Sequence, residues 1–128
     1  MIMKKIYLDD ERTPKDNGWI VVRNYKEFVN AINELGLENI NLISFDHDLG
    51  ETAKDEYYNN VTTNYELDYN NIIEKTGYDC AKWLVEYCRE KDLEIPPYTV
   101  HSMSVVGKKN IINYLENYKL WRINLKSL

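Results

Sequence analysis

Short apolar runs alternate along the chain with longer segments in which apolar residues return every three or four positions. The order of these two patterns predicts the fold. Lys5-Ile6-Tyr7-Leu8 and Trp19-Ile20-Val21-Val22 are too brief for helices and read as strands one and two. Between them Pro14, Asp16, Asn17 and Gly18 are turn formers, so a loop is expected rather than a helix. Asn24 followed by Glu27 gives a capping-box-like start. Phe28, Ile32 and Leu35 then repeat at helical spacing and Gly36 offers a left-handed stop, which places a helix over Tyr25 to Leu35. Asn41-Leu42-Ile43-Ser44-Phe45 reads as strand three, buried in a parallel sheet.

From Glu51 to Lys75 the periodicity lapses into Asp, Glu, Asn, Thr and Tyr, with a short helix expected around Glu66 to Ile73. A connection of this length in a compact domain is usually functional or mobile: a lid over the strand ends, or a tolerated surface insertion. Its tyrosines fit either stacking on a base or covering a core. Thr76 and Asp79 then stand at capping-box spacing before the stripe Ala81, Leu84, Val85, Cys88 of a second long helix. Pro96-Pro97 ends it, and Tyr98-Thr99-Val100 forms strand four. Ser104 is placed to cap a helix carrying Ile111, Ile112, Leu115 and Tyr118. Leu120-Trp121-Arg122-Ile123 then reads as a fifth strand with no room for a helix behind it. The alternation predicts an α/β domain, mostly parallel, with helices on the sheet faces and right-handed crossovers.

Composition sets bounds on this picture. A chain of 128 residues with 44% apolar and 29% charged residues is expected to be one folded domain, 1–128, with an insertion at about 51–75. No apolar run approaches the roughly 18 residues of a membrane span, and Met1-Ile2-Met3-Lys4-Lys5 leads into a strand rather than a signal peptide. A cytoplasmic protein without a membrane partner is expected. Cys80 and Cys88 lie on one predicted helix, about 12 Å apart along its axis, too far to bridge. The net charge of −5 disfavours extended nucleic-acid binding but leaves open a small anionic ligand with a bridging metal. Positive charge gathers at Lys108, Lys109, Lys119, Arg122 and Lys126, as a solvated face or as a cationic rim for phosphate.

Ligands of open α/β sheets bind beyond the carboxyl ends of the strands. Asp9 and Asp10 follow strand one, Asp46, His47 and Asp48 follow strand three, and His101 and Ser102 follow strand four. Carboxylates converging in a cleft favour Mg²⁺, with Mn²⁺ or zinc second because of the two histidines. Each residue also has a structural role open to it. Asp9 and Asp10 can cap a loop, Asp48 can satisfy the turn before Gly50, and His47 alternates away from Asp46 along the strand. Arg12 can pair with the neighbouring acids or meet a phosphate. Gly107 and Lys108 open a helix whose first N–H groups favour an anion.

The acid pair after strand one, the acid after strand three and the hydroxyl after strand four resemble the response-regulator receiver fold, a flavodoxin-like three-layer sandwich of sheet order 2-1-3-4-5. That resemblance implies Mg²⁺ on Asp9, Asp10 and Asp46, and assigns Ser102 as the strand-four hydroxyl. The helices after strands one and five are missing, and Arg122 stands where a receiver ends in lysine and proline. Leu8-Asp9-Asp10-Glu11-Arg12-Thr13-Pro14, Phe45-Asp46-His47-Asp48-Leu49-Gly50, Gly77-Tyr78-Asp79, and His101-Ser102 with Gly107 and Asn110 are similar to the cyclic-phosphate-processing receiver-like family. Where that family usually has Asn, this chain has Ser104.

The resemblance implies a metal-dependent phosphoesterase acting on cyclic phosphates of nucleotides or RNA ends. Asp9, Asp10, Asp46 and Asp48 are its candidate metal ligands, and His101, His47 and Asp46 its candidate catalytic groups. Ser102, Arg12, Gly107, Lys108 and Asn110 are the candidate phosphate contacts. The competing expectation is an inactive receiver-like module that binds a nucleotide or a protein partner. Asp46-x-Asp48 as a haloacid-dehalogenase-like nucleophile and acid fits less well, because that motif normally follows the first strand of its sheet.

Overall fold

The structure is a computed structural model and describes residues 3–126. Four strands form one parallel sheet: β1 (Lys4–Leu8), β2 (Trp19–Val22), β3 (Ile40–Phe45) and β4 (Tyr98–Val100), in the order β2-β1-β3-β4. This is the α/β receiver-like order as far as its fourth strand. The β1–β2 link holds no helix. Elsewhere α1 (Tyr25–Leu35) lies between β2 and β3, α4 (Gly77–Lys91) precedes β4, and α5 (Val105–Lys126) follows it. The caps are those the side chains allow. Asn24 accepts the Glu27 N–H at 2.9 Å, Thr76 and Asp79 form a reciprocal capping box, and the Ser104 hydroxyl accepts the Gly107 N–H at 3.1 Å.

The two helix-bearing crossovers, β2 to β3 and β3 to β4, move the chain in the same direction along the sheet, so right-handed connections place α1 and α4 on one face, where α5 packs against α4. There Ile6, Leu8, Ile43 and Phe45 meet Phe28, Ile32, Ala81, Leu84, Ile111 and Leu115 in a single core. The opposite face carries Lys5, Tyr7 and Trp19, with Tyr7 edge-on to Trp19 and the Lys5 ammonium 4.5 Å from the Trp19 ring. The expected three-layer sandwich is thus two layers, one sheet and one set of helices.

The fifth strand expected at Leu120–Ile123 is not formed. These residues continue α5, and β4 is the edge. Four apolar-rich residues cannot distinguish a strand from the end of a helix by periodicity. Here the helical geometry places Arg122 one turn beyond Tyr118, 3.3 Å from its hydroxyl, and lets its guanidinium bond Asp92 at 2.8 Å. Arg122 is therefore a helix-packing residue, not the counterpart of a strand-five lysine.

The segment 51–75 also departs from expectation. Its helix lies early: α2 (Glu51–Glu56) runs through a π-helical turn (Tyr57–Val61) into α3 (Thr62–Asn64), and only a 3₁₀ turn (Tyr69–Asn71) falls where the helix around Glu66 to Ile73 was predicted. Buried Glu56 ties the segment to itself, accepting from the Asp68 N–H and from the Asn60 and Asn71 amides, each at 2.9 Å. Glu74 closes its base on the Ala53 N–H and the Thr52 hydroxyl. Among the described residues no helix is long and apolar enough to cross a membrane.

Candidate metal and phosphate site

Strand register builds the site. Leu8, Phe45 and Val100 are aligned partners across β1, β3 and β4, and the ladder runs one residue further: Asp46 N–H donates to Leu8 at 3.0 Å and His101 N–H to Phe45 at 2.9 Å. The residues after the aligned three therefore emerge level. Leu8, Phe45 and Val100 are buried towards the helices, so alternation turns Asp9, Asp46 and His101 to the opposite side together. One ligand atom from each of these three residues lies within 4.8 Å of the others.

Asp9 is 1% exposed and heavily engaged. Its Oδ1 accepts the backbone N–H groups of Glu11 and Arg12 at 2.9 and 2.7 Å, while Oδ2 accepts Arg12 Nε at 2.8 Å and His101 Nε2 at 3.0 Å. Burial opposes its ionisation, but these hydrogen bonds outweigh burial and hold the carboxyl below its usual range. Asp46 is in the reverse condition. Burial, then the charge of Asp9, pushes it up to about 6. Arg12 offsets part of that strain, with Nη2 3.5 Å from Asp46 Oδ1.

His101 is fixed on three sides. Its ring stacks on Tyr7 with centroids 4.4 Å apart and planes 9° from parallel, and Nδ1 meets the Ser44 hydroxyl at 2.6 Å. Burial lowers its pKa despite the nearby Asp9. The ionised Asp9 needs a proton on Nε2, so in the neutral ring Nδ1 accepts from Ser44, and the Ser44 oxygen is free to accept from Thr99 at 3.0 Å. Strand residues behind the site thus select the tautomer.

Asp10 faces the cleft but is paired. Lys54, from α2, lies 2.5 Å from Asp10 and 2.9 Å from Glu11. The segment 51–75 therefore contributes a cation to the site, together with Tyr57 and Tyr58. With Asp9, Asp10, Glu11, Arg12, Asp46, Asp48, Ser102 and Met103 these residues line a cleft of about 260 Å³. Lys54 went unrecognised in the sequence, where the tyrosines of the segment were expected to stack on a base or cover a core without Tyr57 and Tyr58 being singled out. The spacing of Lys54, Tyr57 and Tyr58 at i, i+3 and i+4 was the available signal, had the helix been placed there.

The remaining sequence candidates sit elsewhere. His47, one residue past Asp46, alternates to the helix side and is 0% exposed. Its Nδ1 holds Asp48 at 2.6 Å and its Nε2 meets the Tyr69 hydroxyl at 2.9 Å, which Asn110 reaches at 3.1 Å. His47 and Asn110 thus bind the 51–75 segment to α5, away from the cluster, while Asp48 keeps contact with the cleft. Gly107 gives its N–H to Ser104, and a Cβ there would collide with the His47 ring. Its service is close approach of helix to histidine. Lys108 is exposed and does not line the cleft. Gly77 donates to the His47 carbonyl at 2.8 Å, and a Cβ there would overlap the Asp46 carbonyl.

Two carboxylates, one destabilised in its charged form, within 4.8 Å of each other and of the His101 ring suit a divalent cation with the imidazole beside it. A family model described as the cyclic-phosphate processing receiver domain matches residues 4–117, and the chain belongs to that family. Neither the curated proteins nor the solved structures supply a match.

Proposed function

We propose that this member of the cyclic-phosphate processing receiver domain family is a metal-dependent phosphoesterase that opens cyclic phosphates of nucleotides or RNA ends. The observation that carries the proposal is the convergence of Asp9, Asp46 and His101 at three neighbouring strand ends. Asp9 and Asp46, with Asp10 and Asp48 at the cleft wall, would hold Mg²⁺ or Mn²⁺. Such an ion, when bound, neutralises phosphate charge and acidifies water.

The chain's own groups do the rest. Arg12 has a half-exposed side chain and is free to turn from the two carboxylates to a non-bridging phosphate oxygen. Lys54 and Ser102 contact the same phosphate from the cleft walls. His101 holds its transferable proton at Nε2, inside the cluster, and the Ser44–Thr99 pair keeps that tautomer ready. Once Nδ1 is also protonated, with the Ser44 oxygen as its acceptor, the His101 imidazolium gives its Nε2 proton to the departing alkoxide as a water oxygen bonds to phosphorus and the ring P–O bond breaks, and the proton that the water releases restores the imidazolium. His47, held by Asp48 and Tyr69, positions the Asp48 carboxylate rather than exchanging protons with substrate.

The test is incubation of the protein with Mg²⁺ or Mn²⁺ and a panel of cyclic nucleotides and RNA ends, beside Asp46→Ala and His101→Ala. Turnover that needs both residues supports the esterase. Tight binding without turnover would favour the inactive module.

A further inference from the structure

The cleft beside the Asp9–Asp46–His101 cluster has a charged floor, yet part of its lining is apolar. Tyr58 is 68% exposed and Met103 71% exposed, and both line it. They come from separate segments, Tyr58 from the π-helical turn at Tyr57–Val61 and Met103 from the loop between β4 and α5. Tyr57 stands edge-on to Tyr58, with ring centroids 5.1 Å apart and planes at 73°, and so braces the exposed ring. A π-helical turn inserts a residue into the helix, a device common at functional sites. One turn earlier on the same segment Lys54 reaches down to Asp10 and Glu11. A single short helix therefore presents a cation to the floor and an aromatic face at the rim.

A hydrated phosphate makes no use of an exposed phenol ring and a thioether, whereas a flat heteroaromatic ring joined to that phosphate does. We infer that Tyr58, braced by Tyr57 and accompanied by Met103, is a nucleobase shelf, and that the ligand of this cleft is a cyclic phosphate carrying a base. The inference rests on the cyclic-phosphate function proposed above. It assigns the 51–75 segment the task of selecting the substrate, since without it the strand ends recognise phosphate alone.

The test compares adenosine 2′,3′-cyclic phosphate with glycerol 1,2-cyclic phosphate, which has no base. Each is titrated calorimetrically into the full chain in the presence of Mg²⁺, for wild type, Tyr58→Ala and Tyr58→Phe. Stacking predicts a preference for the nucleotide of roughly tenfold or more in wild type, kept by Tyr58→Phe and reduced towards parity by Tyr58→Ala. Both changes are at an exposed position, and circular dichroism confirms the fold. Equal affinity for the two ligands in wild type, or a preference that survives Tyr58→Ala, overturns the shelf, as does failure of both to bind. Turnover assayed in parallel separates the two proposals: base preference without hydrolysis keeps the shelf and removes the esterase, and hydrolysis without base preference does the reverse.

Discussion

Asp9 and Asp46 end adjacent parallel strands, both buried, and the fold moves their acidities apart: hydrogen bonds lower Asp9, while burial and the charge of Asp9 raise Asp46 to about 6. The pair is held in check by Arg12, which touches both. A site built this way stores electrostatic strain in one residue and structural support in the other.

Asp46 should therefore cost stability when ionised. Its folded value lies above the ordinary 3.8, so between these two values the native state binds the extra proton. Stability from this group is present at low pH and is lost as pH rises through about 6, amounting to about 2–3 kcal/mol. Asp46→Asn is expected to melt higher than wild type at pH 7.5 and to lose that advantage at pH 4. Thermal denaturation across this range checks it.

Asp9 has the opposite sign. Its lowered value contributes stability above the ordinary carboxylate range, lost as pH falls through the folded value. Asp9→Ala removes the acceptor of the Glu11 and Arg12 N–H groups, of Arg12 Nε and of His101 Nε2, and is expected to cost about 2–4 kcal/mol in urea denaturation. Since Asp9 favours the imidazolium, proton NMR should show His101 in this variant titrating at lower pH than in wild type.

Divalent cations should raise the melting temperature of the wild type, more at pH 7.5 than at pH 5, because protons compete for Asp46. Lys54→Met frees Asp10 and Glu11 from their cation. Calorimetry is expected to show Mg²⁺ binding several-fold tighter in Lys54→Met, and kinetics a higher KM for the cyclic phosphate. Weaker Mg²⁺ binding in this variant would show that Lys54 organises the acid pair rather than competing for it.

Gly77→Ala should be the most damaging small change near the site. The added methyl overlaps a backbone carbonyl, that of Asp46, which cannot rotate away as a side chain does. A loss of about 1–3 kcal/mol is expected, with weakened Mg²⁺ binding as Asp46 is displaced. Gly107→Ala presses instead on the ring of His47. It should loosen the 51–75 segment, which hydrogen exchange would report as faster exchange around Tyr69.

Much of this was legible in the chain. Strands β1 to β4, helices α1 and α4, the Asn24, Thr76 and Ser104 caps and the three chemistry-bearing strand ends are all read from local pattern, because apolar period and cap chemistry are local properties. The end of α5 was not. Leu120, Trp121 and Ile123 are exposed while Arg122 is buried, so the apolar run that reads as a strand is the outer face of a helix. The helix in 51–75 was misplaced for a related reason: Glu56 is buried and satisfied by Asn60, Asp68 and Asn71 from the same fold-back, partners that no periodicity announces.

The sequence by itself determined which residues end the strands, and strand alternation already set His47 apart from Asp46. Only the tertiary structure decided which of those residues meet. The register of Leu8, Phe45 and Val100 brings Asp9, Asp46 and His101 level, and the fold-back after Gly50 delivers Lys54, Tyr57 and Tyr58 to the same cleft. Strand periodicity fixes the side on which a residue emerges. Its neighbours across the sheet, and hence its charge at a given pH, depend on contacts between segments distant in the chain.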